Sequence, residues 1–145
     1  MLKRRIPIAL LIYTLFIPNV LAFCESFPNP IQEYQRSELV FVGTVLSKEE
    51  IPEADNFIVG TRYLVQVKEI LKGRPEQHIS LYSENTTSRF PMEIGQDYLV
   101  FALLGVFEEL QEKQLFIDSC GNSGILNKSG KAISIVRKLT AKESK

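Results

Sequence analysis

Leu39-Val40-Phe41-Val42-Gly43-Thr44-Val45-Leu46-Ser47 is the stretch on which the fold turns. It reads as a strand with a glycine in its middle. A glycine inside a strand marks a bulge or a sharp bend, of the kind that lets a small sheet curl into a barrel. Downstream, Phe57 to Leu71 reads as a long second strand, in which Tyr63, Val65 and Val67 alternate with Leu64, Gln66 and Lys68. The alternation slips at the adjacent pair Ile70 and Leu71, which predicts another bulge. Lys72-Gly73-Arg74-Pro75 is a turn. His78 to Ser83 is a short third strand. Gln96 to Leu104 is a fourth, apolar on both faces and therefore central. Gln114 to Asp118 is a fifth.

The remaining segments frame these strands. Lys48 to Asn56 reads as an acidic loop, Glu84 to Gly95 as a polar loop, and Gly105 to Lys113 as a connection rich in Glu. Upstream, Ile31 to Glu38 reads as a short helix with Pro30 near its first turn, and Ile31 and Tyr34 share a face. At the other end Ser129 caps an amphipathic helix in which Ala132, Ile135, Val136 and Leu139 recur at helical spacing, before a charged tail that frays from about residue 142. The expected core comprises Val40, Val42, Val65, Val67, Val100, Phe101 and Leu115, with Ile135 and Leu139 of the last helix. Five strands bent at glycines, plus two short helices on about 120 residues, suit a mainly β fold: a five-stranded Greek-key barrel of the OB type. A β-sandwich is the rival, but it usually needs seven strands.

Residues 1–22 have the features of a secretory signal peptide: basic Met1-Leu2-Lys3-Arg4-Arg5, apolar Ile6 to Pro18, and Asn19-Val20-Leu21-Ala22 with small residues at the cleavage positions. The apolar run is shorter than the ~20 residues of a membrane span, so cleavage is favoured over an anchoring helix. A lipid anchor at Cys24 is disfavoured by the bulky Phe23 before it. Cleavage after Ala22 removes three of 17 basic residues and none of 17 acidic ones. The mature chain, residues 23–145, then carries a net charge of −3 and has the size of a single domain. A mildly acidic chain without a basic run is a poor nucleic-acid binder. Cys24 and Cys120 are its only cysteines, and in an oxidising compartment they are expected to form a disulfide. The bond would close a loop of roughly 100 residues, worth about 4–5 kcal/mol by chain entropy.

Little else suggests chemistry. His78 is the sole histidine, and without a second His or a free Cys it makes a poor metal site. Ser119 and Ser123 flank Cys120 but lie in no nucleophile motif. The acidic clusters Glu49 to Asp55 and Glu108-Glu109-Glu112 lack calcium-loop spacing and read as solvated loops. Asn85-Thr86-Thr87 and Asn127-Lys128-Ser129 are glycosylation sequons, relevant in a eukaryotic host. Val106 and Phe107 place two apolar residues in a connection. Phe107 is expected to fold back over the barrel, and a contact with a partner is the alternative. No catalytic residue, cofactor or metal ligand is assigned.

The series Cys24, the short helix, Ser37-Glu38-Leu39-Val40-Phe41-Val42-Gly43-Thr44-Val45, Tyr63-Leu64-Val65-Gln66-Val67, Leu71-Lys72-Gly73, Gly95-Gln96-Asp97-Tyr98-Leu99-Val100-Phe101 and Cys120 resembles the N-terminal, netrin-like domain of the tissue inhibitors of metalloproteinases. The resemblance covers Cys24 to about Leu139. It implies an OB-type barrel and, for function, an N-terminal wedge. In that family the α-amino group and carbonyl of an N-terminal Cys, within a Cys-x-Cys pair, chelate the zinc of a protease. Here the residues are Phe23-Cys24-Glu25-Ser26-Phe27, with one Cys of that pair. The resulting expectation is a secreted, or in a Gram-negative host periplasmic, module that binds a protein, for which a zinc endopeptidase is the named candidate. Phe23, Cys24, Glu25, Ser26 and Phe27 form its binding edge. The alternative is a netrin-like adhesion or scaffolding module that binds through Gly105 to Lys113, and a periplasmic enzyme or small-ligand binder is the third reading.

Overall fold

The structure is a computed structural model, and the residues described are 24 and 26–143. The signal-peptide reading and the candidate residues Phe23 and Glu25 lie outside them. The chain runs through helix α1 (Pro30–Arg36), strands β1 (Leu39–Pro52), β2 (Ile58–Lys72), β3 (His78–Glu84), β4 (Asp97–Phe107), β5 (Glu112–Phe116) and β6 (Gly124–Ile125), and helix α2 (Gly130–Glu143). The strands form one sheet in the order β1-β2-β3-β5-β4-β6, and an additional pairing of β1 with β4 draws the first five into a ring. All pairings are antiparallel except β3 with β5, which meet in parallel at Tyr82 and Phe116 alone.

The bends expected from the sequence are present. The β1–β2 register shifts between Val42 and Gly43, and a Cβ on Gly43 would lie 2.6 Å from Val65 Cγ1 and 2.7 Å from the Gln66 carbonyl oxygen. Only a glycine lets the two strands close up at this corner. The register also skips Leu71, between Val40↔Lys72 and Phe41↔Ile70. The bulge turns Leu71 inward, 3 % exposed, and leaves Ile70 outside.

Two apolar clusters explain why the central strands are apolar on both faces. On one face Phe41, Val65, Leu81, Tyr98, Val100 and Ile117 pack together. On the other, Val40, Val42, Leu99 and Phe101 meet Tyr34 of α1 and Ile133 and Val136 of α2. Val67, Leu115 and Leu139 are half-buried against these clusters.

Several boundaries differ from the sequence reading. Lys48 to Pro52, read as loop, continue β1 and pair with β2 as far as Pro52↔Ile58. This end of the hairpin is solvated, so its residues carry no apolar alternation; backbone pairing and contacts such as Glu49–Arg62 at 4.0 Å hold it. Likewise β4 extends to Phe107 and β5 begins at Glu112, so most of the expected Gly105–Lys113 connection is strand. In α1 the buried residues are Glu33 and Tyr34, and Ile31 is 45 % exposed. In α2 Ile133 and Val136 are buried, whereas Ile135 is only half-buried. The Ser129 carbonyl accepts the Ile133 N–H, and its hydroxyl donates to Ile125. The helix reaches Glu143, whose carboxylate accepts the Tyr34 hydroxyl at 2.8 Å.

Candidate functional site

The segment before α1 has no regular structure of its own, and neighbouring groups fix it. Cys24 is bonded to Cys120, with Cα atoms 5.5 Å apart across 96 residues of sequence. Four residues on, the Pro28 carbonyl accepts a hydrogen bond from the Asn122 side-chain amide at 2.8 Å. The segment then enters α1 through Asn29, whose side chain accepts the N–H groups of Ile31 and Gln32 while Gln32 reaches back to the Asn29 N–H. This reciprocal cap with Pro30 in the first turn fixes where the helix begins.

The loop that receives the segment, 118–123, is braced as well. The Cys120 N–H donates to Asp118 at 2.8 Å, the Ser119 N–H to the Ser88 carbonyl at 2.9 Å, and Ser123 Oγ accepts the Phe101 N–H at 2.9 Å. The centre of the brace is Glu33. The residue is 3 % exposed, and its carboxylate accepts both the N–H of Asn122, at 2.6 Å, and the Asn122 side-chain amide, at 2.5 Å. Gly121 lies against the same carboxylate so closely that a Cβ there would collide with Glu33 Oε1. Burial holds the Glu33 carboxyl above its ordinary range and Asp118 adds to the rise, against the lowering by the Asn122 bonds and Arg36.

At the other end of α1, Lys72 Nζ donates to the carbonyls of Tyr34, Gln35 and Ser37, at 2.7, 3.0 and 2.6 Å. A cation on the last carbonyls of a helix is favourable by charge and by hydrogen bonding. The helix, and the segment ahead of it, is therefore gripped at both ends.

Between the segment, α1 and the 118–121 loop lies an open cleft of about 570 Å³, lined by Phe27, Pro28, Gln32, Arg36, Leu103 and Asp118 among others. Ser26 is exposed and Phe27 is 70 % exposed, so an apolar ring stands at the rim of the cleft on a tethered segment. Of the five residues expected to form the edge, Cys24, Ser26 and Phe27 are thus placed together.

The second expected contact splits. Val106 is 67 % exposed, whereas Phe107 stacks edge-to-face on Tyr82 and Phe116, with ring centroids 4.7 and 5.3 Å away. His78 is exposed at the start of β3. Asn85 donates its side-chain amide to the Ile58 carbonyl at 2.7 Å, while Asn127 is exposed. Among the described residues no three His, Cys, Asp or Glu side chains converge as metal ligands do, and no helix is long and apolar enough to cross a membrane. Glu33, Asn122 and Lys72 were not singled out by the sequence. The one local signal was the Asn29-x-x-Gln32 spacing of a capping box, which places Glu33 in the first turn of the helix.

A scan against models of known protein families and a search of curated proteins find no match for this chain.

Proposed function

We propose that the chain is a secreted protein-binding module of the kind found in the N-terminal domain of the tissue inhibitors of metalloproteinases, and that its edge, Phe23 to Phe27, enters the cleft of a zinc endopeptidase. The observation that carries the reading is the clamp on the N-terminal segment: the Cys24–Cys120 bond and the Asn122–Pro28 bond hold it while Phe27 stays outside. A wedge restrained before binding loses less ordering entropy on binding. The ring is read as an OB-type Greek-key barrel, a reading supported by the strand order, with β1 pairing both β2 and β4 and β3 meeting β5 in parallel.

The inhibitory chemistry depends on which residue begins the mature chain. A start at Cys24 puts the chelating amine and carbonyl on the disulfide itself. A start at Phe23 puts them one residue outside the restrained loop, which weakens the grip on the protease's zinc. The test titrates three forms, beginning at Phe23, at Cys24, and at an Ala placed before Cys24, against a panel of zinc endopeptidases. Inhibition is expected to be strongest for the Cys24 form and to vanish with the added Ala. Tight inhibition by the Phe23 form, unchanged by an extension, would overturn the wedge. No inhibition by any form would favour the second reading, an adhesion or scaffolding module without protease contact, for which the exposed Val106 on β4 is the supporting observation.

A further inference from the structure

A second cleft borders the 118–123 loop and differs in character from the one behind the N-terminal segment. It encloses about 660 Å³ between that loop, Phe90-Pro91 and the start of α2, within the size range of binding clefts. Phe90, Pro91, Tyr98, Ile125 and Ala132 give it apolar walls. Its charged lining residues are Lys128 and Lys131, and no carboxylate lines it. Both lysines are exposed, and neither makes an ion pair among the described residues. An apolar cleft rimmed by two unpaired cations fits an apolar side chain flanked by carboxylates.

The chain itself carries such a group at the tip of the β1–β2 hairpin. There Asp55 and Asn56 take positive φ values of 68° and 63°, and the Glu53 N–H donates to the Phe57 carbonyl at 2.6 Å. The turn closed in this way presents Phe57, 55 % exposed, beside Glu53, Glu84, Glu108 and Glu109. Glu53, Asp55 and Glu108 are exposed and make no ion pair among the described residues. The residues around Phe57 and those of the lysine-rimmed cleft have no member in common.

We infer that the hairpin tip of one copy docks in the lysine-rimmed cleft of a second copy, with the Phe57 ring on the apolar walls and Glu53 and Asp55 facing Lys128 and Lys131. Charge complementarity selects this occupant: an exposed ring set among carboxylates meets an apolar cleft whose charges are both positive. The two surfaces differ, so the contact is head-to-tail. Each added copy brings a free tip or a free cleft, and the assembly grows beyond a dimer or closes into a ring. A single cleft of this size makes a weak, reversible contact. The inference is independent of the N-terminal wedge, since neither surface includes Phe23 to Phe27.

The test is sedimentation of the purified chain over a concentration series, with two variants that each remove one half of the contact at exposed positions. One is Phe57→Ser at the tip, and the other is Lys128→Glu combined with Lys131→Glu in the cleft. The parent is expected to associate at concentrations up to about 1 mM. Its association is expected to weaken as salt rises from about 0.05 M to about 0.5 M, because the paired charges lie at the surface. Each variant alone is expected to raise the dissociation constant at least about tenfold. Mixed in equal amounts, the two are expected to form a one-to-one dimer that grows no further, since the cleft variant keeps its tip and the tip variant keeps its cleft. A parent still monomeric at about 1 mM overturns the inference. So does association that ignores salt or either variant, or a mixture of the two variants that forms no dimer.

Discussion

The Glu33 carboxylate and the Gly121-Asn122 backbone are fitted to each other across 89 residues of sequence. That separation is why the pair was illegible beforehand: a glutamate in a short helix reads as solvent-facing until its partner loop is in place. Because burial raises its pKa, Glu33 makes stability depend on pH with a definite sign. From its ordinary value of 4.5 up to the raised folded value, the folded chain keeps a proton that the unfolded chain has lost. Stability therefore falls as pH rises through that window. Urea midpoints measured across it should decline for the parent, and Glu33→Gln should flatten the decline. Gly121→Ala should destabilise at every pH, since its Cβ drives Glu33 off Asn122. Lys72 offers a separate test at the same scale. Lys72→Met keeps the stem and removes the charge from the carbonyls of Tyr34 and Gln35 in α1 and of Ser37 just past it. It should cost about 1.5–3 kcal/mol, the range for hydrogen bonds to a charged group, read from urea denaturation at neutral pH.

At the scale of elements, legibility followed burial. β4 was readable as a central strand because Leu99, Val100, Phe101 and Ala102 are all buried, some under each cluster. The bend at Gly43 was readable because a glycine stands inside a strand, and the bulge at Leu71 because the period of two slips there. The far end of the β1–β2 hairpin was not, since a strand wet on both faces has no apolar signature. The α2 stripe was caught at Ala132, Val136 and Leu139, which pack on the cluster, but Ile133 points inward where Ile135 was expected, and Ile135 lies at the margin. The difference is measurable. Val136→Ala and Val100→Ala should each cost roughly 1–3 kcal/mol from lost transfer energy and a residual cavity. Ile135→Ala should cost less than Val136→Ala although it removes more carbon. Equal losses at the two helix positions would put the helix in a different rotation.

For the whole molecule the main restraint is the Cys24–Cys120 bond, which closes the chain from Cys24 to the loop before β6 and leaves α2 outside. Replacing both cysteines by Ser should lower unfolding free energy by about 3–5 kcal/mol, the range for a loop of this length, as measured by urea denaturation of the oxidised parent and the variant. The pairing was legible from the cysteine count together with the export expected from the sequence. The clamp around it was not, because Asn122 and Pro28 are brought together only once the ring has formed. The ring also has an unequal seam. β1 and β2 are paired over most of their length, whereas β3 and β5 touch at Tyr82↔Phe116, backed by one bond from the Ile117 N–H to the Tyr82 carbonyl at 3.0 Å. A closure that joins distant segments through so few bonds is the last to form and the first to breathe. The Ile117 amide, although its side chain is buried, should then exchange with deuterium well before the amides between β1 and β2. The ring of Phe107, stacked on both Tyr82 and Phe116, acts as the latch on that breathing, and trimming Phe107 should shorten the Ile117 lifetime while leaving the β1–β2 amides slow.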